Sequence, residues 1–199
     1  MNRRTAAPYL IVAIGVLIAC ALMSLCVLQF RHDALERDIA RNFELYDLSL
    51  QALIHGLRRP DVMTAAPALR RDVLFDHAMN AAFIGSQLVL DARGNIILDS
   101  AGDVPRHGNF ADRKYFTVHH DDSNVGLYVS DPLASPLRRG TVSVVLSRRI
   151  SNPDGSFGGV ALIALNVEYF HQLFAGLSLG QHGSISLMGT DGIMVMRQP

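Results

Sequence analysis

The chain opens with a run that carries no charge from Tyr9 to Phe30, YLIVAIGVLIACALMSLCVLQF, directly behind Arg3 and Arg4. Wound as a helix it is about 33 Å long, enough to cross a hydrocarbon layer of about 30 Å. The basic residues before it place the short N-terminus (1–8) in the cytoplasm and everything after residue 30 outside. The pattern then becomes amphipathic. Ile39, Phe43, Tyr46, Leu50, Leu53 and Leu57 are spaced 4-3-4-3-4, a helical seam, while Arg31, Asp33, Glu36, Arg37, Asp38, Arg41, Glu44 and Asp47 cover the other faces. A long helix over 31–58 is therefore expected, ended by Arg59-Pro60 because proline disfavours helix in the residue before it. Its seam serves packing on the chain's own sheet together with contact to a second copy.

Beyond residue 60 the pattern predicts short elements. A short helix is expected from Leu69 to Asn80, and a β-hairpin over 87–100 around Asp91-Ala92-Arg93-Gly94-Asn95. Gly/Pro-punctuated loop follows to Asn109, then a helix over 110–120 with Asn109 or Asp112 as cap. Three strands come next, Val125–Asp131, Thr141–Ile150 and Gly158–Val167, the last two joined by the turn Asn152-Pro153-Asp154-Gly155. Short links between consecutive strands favour an antiparallel meander. A helix bearing Phe170, Leu173, Phe174 and Leu177 on one face stops near Gly180. The final segments, 184–188 and 193–197 around Thr190-Asp191-Gly192, form another hairpin. Two strands alone are marginal, so this hairpin is expected to begin a further sheet and the chain to be the front portion of a longer protein or a truncated relative of one.

Two other fates compete for the N-terminal run. Leu17-Ile18-Ala19-Cys20 resembles a lipobox, but the ten residues after Cys20 stay apolar; a cleaved secretory signal has a shorter apolar stretch and a small-residue site that is missing here. Both cysteines, Cys20 and Cys26, fall within this run, so the outer part has neither disulfide nor thiolate metal site. Lysine plus arginine equal aspartate plus glutamate at 18 each, and no basic stripe points to nucleic acid.

The element order, with several local motifs, resembles the double Cache domain of bacterial receptors, an extracytoplasmic PAS-like sensor. Asp112-Arg113-Lys114-Tyr115-Phe116 is similar to its DRxYF segment, Gly126-Leu127-Tyr128-Val129-Ser130 to the next strand, and Val144-Val145-Leu146-Ser147-Arg148-Arg149-Ile150 to an LSRRI strand before a DG turn. Gly158-Gly159-Val160 through Tyr169-Phe170 is similar to the strand-helix joint closing the distal lobe. The resemblance spans 31–199 and is nearest to sensors preceding GGDEF diguanylate cyclase modules, although no GGDEF sequence is present. It implies an α+β fold: the transmembrane helix (9–30), the long signalling helix (31–58), a membrane-distal lobe (59–180) built on a PAS-like antiparallel five-stranded sheet, and the incomplete start of a membrane-proximal lobe (181–199). It also implies a small molecule bound between sheet and covering loops, and homodimers whose long helices carry the signal. In many relatives an acidic residue near the end of the last distal strand holds a ligand's amino group. Asn166 stands in that place here, and an amide cannot form the same ion pair.

Strand alternation adds its own candidates. Val142, Val144, Leu146, Arg148 and Ile150 share one face, and Thr141, Ser143, Val145, Ser147 and Arg149 the other. Arg148 thus lies in line with apolar residues, where a charge must be paired or meet a ligand. It either pairs with a structural carboxylate or grips an anion through its forked guanidinium. Arg113 and Tyr115 lie on the segment capping the sheet, either packing or lining a pocket. Tyr128 and Ser130 share a strand face, and a buried Asn166 amide needs a partner. The expected binding set is Arg113, Tyr115, Tyr128, Ser130, Arg148 and Asn166, for a small polar or anionic solute.

The run His119-His120-Asp121-Asp122 invites a metal reading, but adjacent side chains diverge in regular structure, so no metal or cofactor is expected. No nucleophile–base signature, P-loop or H-E-x-x-H spacing occurs. The expectation is a non-enzymatic input unit: a single-pass sensor in the inner membrane with its lobe in the periplasm, coupled to a diguanylate cyclase, histidine kinase or chemoreceptor output. The alternative is a Cache-like dimerisation module whose pocket is filled by its own side chains.

Overall fold

Two ten-residue segments rich in apolar residues create the centre of the molecule. The computed structural model describes residues 37, 39–75, 84–175, 184–188 and 194–198. The expected span 9–30, the first turns of the 31–58 helix, residues 76–80 of the expected short helix, the stop near Gly180 and the turn 190–192 lie outside the described residues. Among the described residues no helix is long and apolar enough to cross a membrane. Chain contacts divide the protein into two units, Met1–Leu45 and Tyr46–Pro199.

Helix α1 covers 39–57, with Leu50 and Leu53 of its seam buried. Two short helices follow, α2 (Pro60–Met63) and α3 (Pro67–Leu74), each opened by a proline whose missing N–H costs nothing in a first turn. The short helix expected at 69–80 thus starts earlier, set by Pro67.

The sheet contains β1 (Ile84–Asp91), β2 (Ile96–Asp99), β3 (Tyr128–Val129), β4 (Leu133–Ala134), β5 (Val142–Ser151) and β6 (Phe157–Asn166). Its order is β2-β1-β6-β5-β3 with β4 also on β5, and every pairing is antiparallel. Six strands replace the expected five. The expected strand Val125–Asp131 is reduced to Tyr128–Val129, its first residues taken up by the turn and bend that follow α4. The chain re-enters immediately as β4, pairing Leu133 with Ser143 where the 132–140 segment was expected to be loop. The mixed helix-and-sheet class is α+β, as expected.

The register separates two faces. Ser143, Val145, Ser147 and Arg149 of β5 lie opposite Asn166, Ala164, Leu162 and Val160 of β6, beside Ser86, Leu88 and Leu90 of β1. This face is covered by α4 (Lys114–Asp121) and by the 132–140 segment, forming a core with Phe110, Tyr115, Phe116, Leu133 and Leu137. The other face carries Val144, Leu146 and Arg148, Ala161, Ile163 and Leu165, all apolar ones buried. Arg148 reaches Asp47 from it, which sets α1 on that side. Both faces being covered explains why 160–165 of β6 reads as a continuous apolar run.

Helix α5 (Glu168–Ala175) follows β6, and β7 (Ile185–Met188) pairs antiparallel with β8 (Met194–Gln198) as a separate hairpin.

Candidate functional site

The first wall of the site is prepared by the β1–β2 turn. Asp91 Oδ1 accepts hydrogen bonds from the amides of Arg93 and Asn95, both at 2.8 Å, and Gly94 takes φ +82°, a left-handed value glycine adopts without steric cost. The turn then captures the returning chain. The Phe110 amide donates to the Gly94 carbonyl at 2.8 Å, and the Asn109 side-chain amide donates to the Arg93 carbonyl. Phe110 is thereby driven into the core just ahead of α4. Neither expected cap acts on that helix: Arg113 occupies the N-cap with no side-chain bond, and Asn109 Oδ1 instead accepts from Ala111 N.

On α4, Tyr115, Phe116 and His119 are buried, the i, i+1, i+4 spacing of one helical face. The opposite wall is the 132–140 segment, folded back by Ser135 N donating to the Thr141 carbonyl at 2.8 Å. Between these walls and the sheet lies a cavity of about 30 Å³. Ser86, Tyr115, Ser135 and Ser143 supply its polar groups, and Leu88, Phe110, Leu137 and Ala164 are among its apolar ones. That volume admits about one water molecule. No charged side chain lines it. Burial pushes the Tyr115 hydroxyl up to about 12, so it stays a neutral donor.

Behind Ser86 stands a buried ion pair. Arg106 donates to both carboxylate oxygens of Asp99, at 2.6 and 3.0 Å, and to Ser86 Oγ at 2.8 Å. Burial pushes Asp99 up, but Arg106 and the amides of Ala101 and Arg106 outweigh it, and its carboxyl titrates below the usual range. This pair fastens the 100–109 loop to the sheet edge.

The residues expected from sequence are dispersed. Tyr115 lines the cavity, and Tyr128 packs against the same core. Ser130 is buried but committed: its hydroxyl donates to the Asp131 carbonyl and accepts from Val145 N. Arg113 is exposed and lies 3.7 Å from Asp112. Arg148 is on the opposite face from the cavity, with its guanidinium on Asp47. Of the two readings left open for it, the geometry matches the structural pair. Asn166 Oδ1 accepts from Glu168 N in a turn leading into α5, and the residue borders a second, more open cleft of about 520 Å³ with Glu168, His171 and Arg197.

Sequence reasoning did not single out Ser86, Phe110, Ser135, Leu137 or Ser143. Ser143 was within reach, since alternation already placed it with Val145; the charge of Arg148 drew attention to the other face. His119 and His120 diverge, one buried and one exposed against Asp121, and no metal-binding cluster occurs among the described residues.

No family model and no curated protein matches the sequence. Solved structures do match. The extracellular domain of rpHK1S-Z16, assigned as a histidine kinase, aligns with a TM-score of 0.62 and 27% identity over 80% of this chain and 64% of that one. The ligand-binding domain of the Pseudomonas fluorescens chemoreceptor CtaA, in complex with L-isoleucine, gives 0.60 and 13% over 82% and 63%. That of the Campylobacter jejuni chemoreceptor Tlp3, in complex with 4-methylisoleucine, gives 0.60 and 10% over 83% and 66%. The chain thus spans just under two thirds of these domains, and it shares with them the Cache-like fold of extracellular sensor domains.

Proposed function

We propose that the chain is the extracytoplasmic input unit of a membrane-anchored bacterial receptor, and that its ligand is a small neutral polar solute. The supporting observation is the cavity between β1, β5, β6, α4 and the 132–140 segment, an apolar slot with hydroxyls from Ser86, Tyr115, Ser135 and Ser143. Its lining offers no cation for an anion, which moves the reading away from the anionic solute expected from Arg148. At about 30 Å³ the slot must widen before anything larger than water enters. The wall able to yield is the 132–140 segment, held by few backbone bonds. A ligand that prefers the widened arrangement shifts the population toward it. The ion pair between β5 and α1 carries that shift toward the membrane helix. The finer features of the reading are a periplasmic lobe, a single span at 9–30, a homodimer through the long helix and a signalling enzyme such as a diguanylate cyclase as output.

The test uses the full chain in detergent micelles, screened by thermal shift against the amino acids and small neutral metabolites. A binding solute raises the midpoint in proportion to RT ln(1 + [L]/Kd). Ala164→Val, which projects into the slot, is expected to remove that shift while leaving the fold. A shift that persists unchanged in Ala164→Val places the ligand elsewhere, and a screen with no shift sinks the reading.

A second reading has a specific observation in its favour. The slot is nearly closed by the protein's own side chains and Arg148 is already paired, as a ligand-free dimerisation lobe requires. A silent metabolite screen together with a stable dimer in sedimentation would select it.

A further inference from the structure

The imidazole of His119 is fully buried where α4 meets β5. Nε2 shares a 3.0 Å hydrogen bond with Ser147 Oγ, and the ring stands edge-on to Tyr128 at 6.3 Å. Nδ1 is buried without a hydrogen-bond partner among the described residues. A neutral ring tolerates this at modest cost, because one nitrogen is bonded and the other is a bare acceptor. A protonated ring would carry a second N–H with nothing to receive it.

The surrounding charges make protonation harder still. From β5, Arg149 donates to the carbonyl of His119 itself and lays its guanidinium 4.8 Å from the Phe157 ring centre. Arg148 acts from the same strand, its charge directed at Asp47. From β3 the facing group is the ring of Tyr128. On α4, His120 turns outward to Asp121 at 2.8 Å, and Asp122 ends the helix. Burial pushes the His119 imidazole below its ordinary value; hydrogen bonding with Ser147 opposes this, and the two arginines add to it.

We propose that α4 is a proton-operated latch: uptake of a proton by His119 releases α4 from β5 and so uncovers the sheet face beneath it. The docked helix holds the ring neutral, whereas an undocked ring titrates near the free value of about 6.5. The undocked state therefore binds more protons in acid, so docking is strongest above about pH 6.5 and weakens as pH falls through that value. An environment outside the cytoplasmic membrane that turns acidic would thus be read directly by the helix walling the cavity. The latch works whether or not a solute binds there, so it stands apart from the ligand reading. The carboxylates Asp47, Asp91 and Asp99 titrate below their usual range, so they stay ionised through this window.

Hydrogen–deuterium exchange on the full chain in detergent micelles, at pH 7.5 and 5.0 and corrected for intrinsic amide chemistry, tests the latch. Protection of residues 114–121 is expected to fall at pH 5.0, by at most about 30-fold, the ceiling set by a free imidazole value of about 6.5. Amides of β1 and β6 are expected to keep theirs. His119→Gln, which retains a nitrogen able to reach Ser147 but takes up no proton, is expected to make α4 protection independent of pH, and His120→Gln to behave as wild type. Unchanged α4 protection in the wild type, or an equal fall in His119→Gln, overturns the proposal. Should His119→Gln not fold, carbon-13 labelled histidine resonances of the wild type decide instead. A His119 signal that titrates in step with loss of α4 protection supports the latch; one that titrates while α4 stays protected overturns it.

Discussion

Arg148 and Asp47, 101 residues apart in sequence, are joined by two hydrogen bonds, Nε to Oδ1 and Nη2 to Oδ2, the latter at 2.8 Å. Gln51, one turn along α1, donates to the same carboxylate at 2.8 Å. The next residue on β5, Arg149, points through the opposite face to the carbonyl end of α4. One strand therefore grips a helix on each side with consecutive arginines. A shift of β5 is felt by both, which links the covered face of the sheet to α1.

Truncating Arg148 tests that grip. The forked hydrogen bond holds Asp47 well below the usual carboxylate range, although burial works against it. The pair's contribution is therefore present above the ordinary value of 3.8 and lost as pH falls below it. Arg148→Met is expected to cost about 1–2 kcal/mol near neutrality, since a charged bond at a partly exposed site contributes less than a buried one. Chemical denaturation of the single variants and of the Arg148→Met, Asp47→Asn double variant measures the coupling. Simple additivity would show that the contact contributes nothing.

Asp99 and Arg106 present a more demanding case, because the carboxylate is only 2% exposed. Removing one partner of such a pair leaves a charge in a dry setting. Arg106→Ala is expected to destabilise the lobe by about 3 kcal/mol and to expose the 100–109 loop to protease. Asp99→Asn, which keeps the shape but not the charge, should cost less. A variant pair with equal midpoints to wild type would argue against a locked loop.

Much of this architecture was legible in the sequence for a definite physical reason. Strands β5 and β6 are long, and their alternation and Asn-Pro-Asp-Gly turn admit one hairpin register, so their limits came out within a residue. The hairpin at Asp91–Asn95 was equally plain, because an aspartate that caps its own turn next to a glycine has few other conformations. The site was not legible in this way. Its cavity is assembled from β1, Phe110 ahead of α4, Tyr115 on α4, the 132–140 segment, β5 and β6, and no spacing rule connects Ser86 to Leu137. Arg148 looked functional because a charge among apolar residues is conspicuous, yet its partner lay 101 residues upstream on another element. His119 was masked by its neighbours in a polar run, although its place four residues after Tyr115 already put it on the buried face of α4.

Tyr115 carries a spectroscopic prediction. Its hydroxyl, desolvated on the cavity wall, titrates at about 12 rather than the ordinary 10.0. The folded state holds this proton more tightly than the unfolded chain, so the stabilisation is intact below pH 10 and lost as pH rises through 12. Tyr115→Phe should therefore resist alkali better than wild type and show one phenol fewer in the high-pH portion of an ultraviolet titration. Were Tyr115 to ionise near the ordinary 10.0, the cavity wall would have to be open to water in solution.

Gly159 tests the pairing on which the whole site rests. It sits near the start of β6, facing Asp91 on one side and Ile150 on the other, with φ +137°, a conformation side chains seldom take. A Cβ added there would lie 2.0 Å from the carbonyl oxygen of Leu90, which is backbone and cannot rotate aside. Alanine must therefore push β1 from β6 or change the local backbone, each at a cost beyond ordinary strain of about 1–3 kcal/mol. Because β1 brings Ser86 and Leu88 to the cavity, displacement there should disturb the site as well as stability. Gly159→Ala is expected to lower the free energy of unfolding by about 3 kcal/mol or more and to raise exchange of the β1 amides ahead of those in β5. A substitution tolerated with unchanged β1 protection would mean that the two strands do not meet in the register that places Ser86 beside Tyr115.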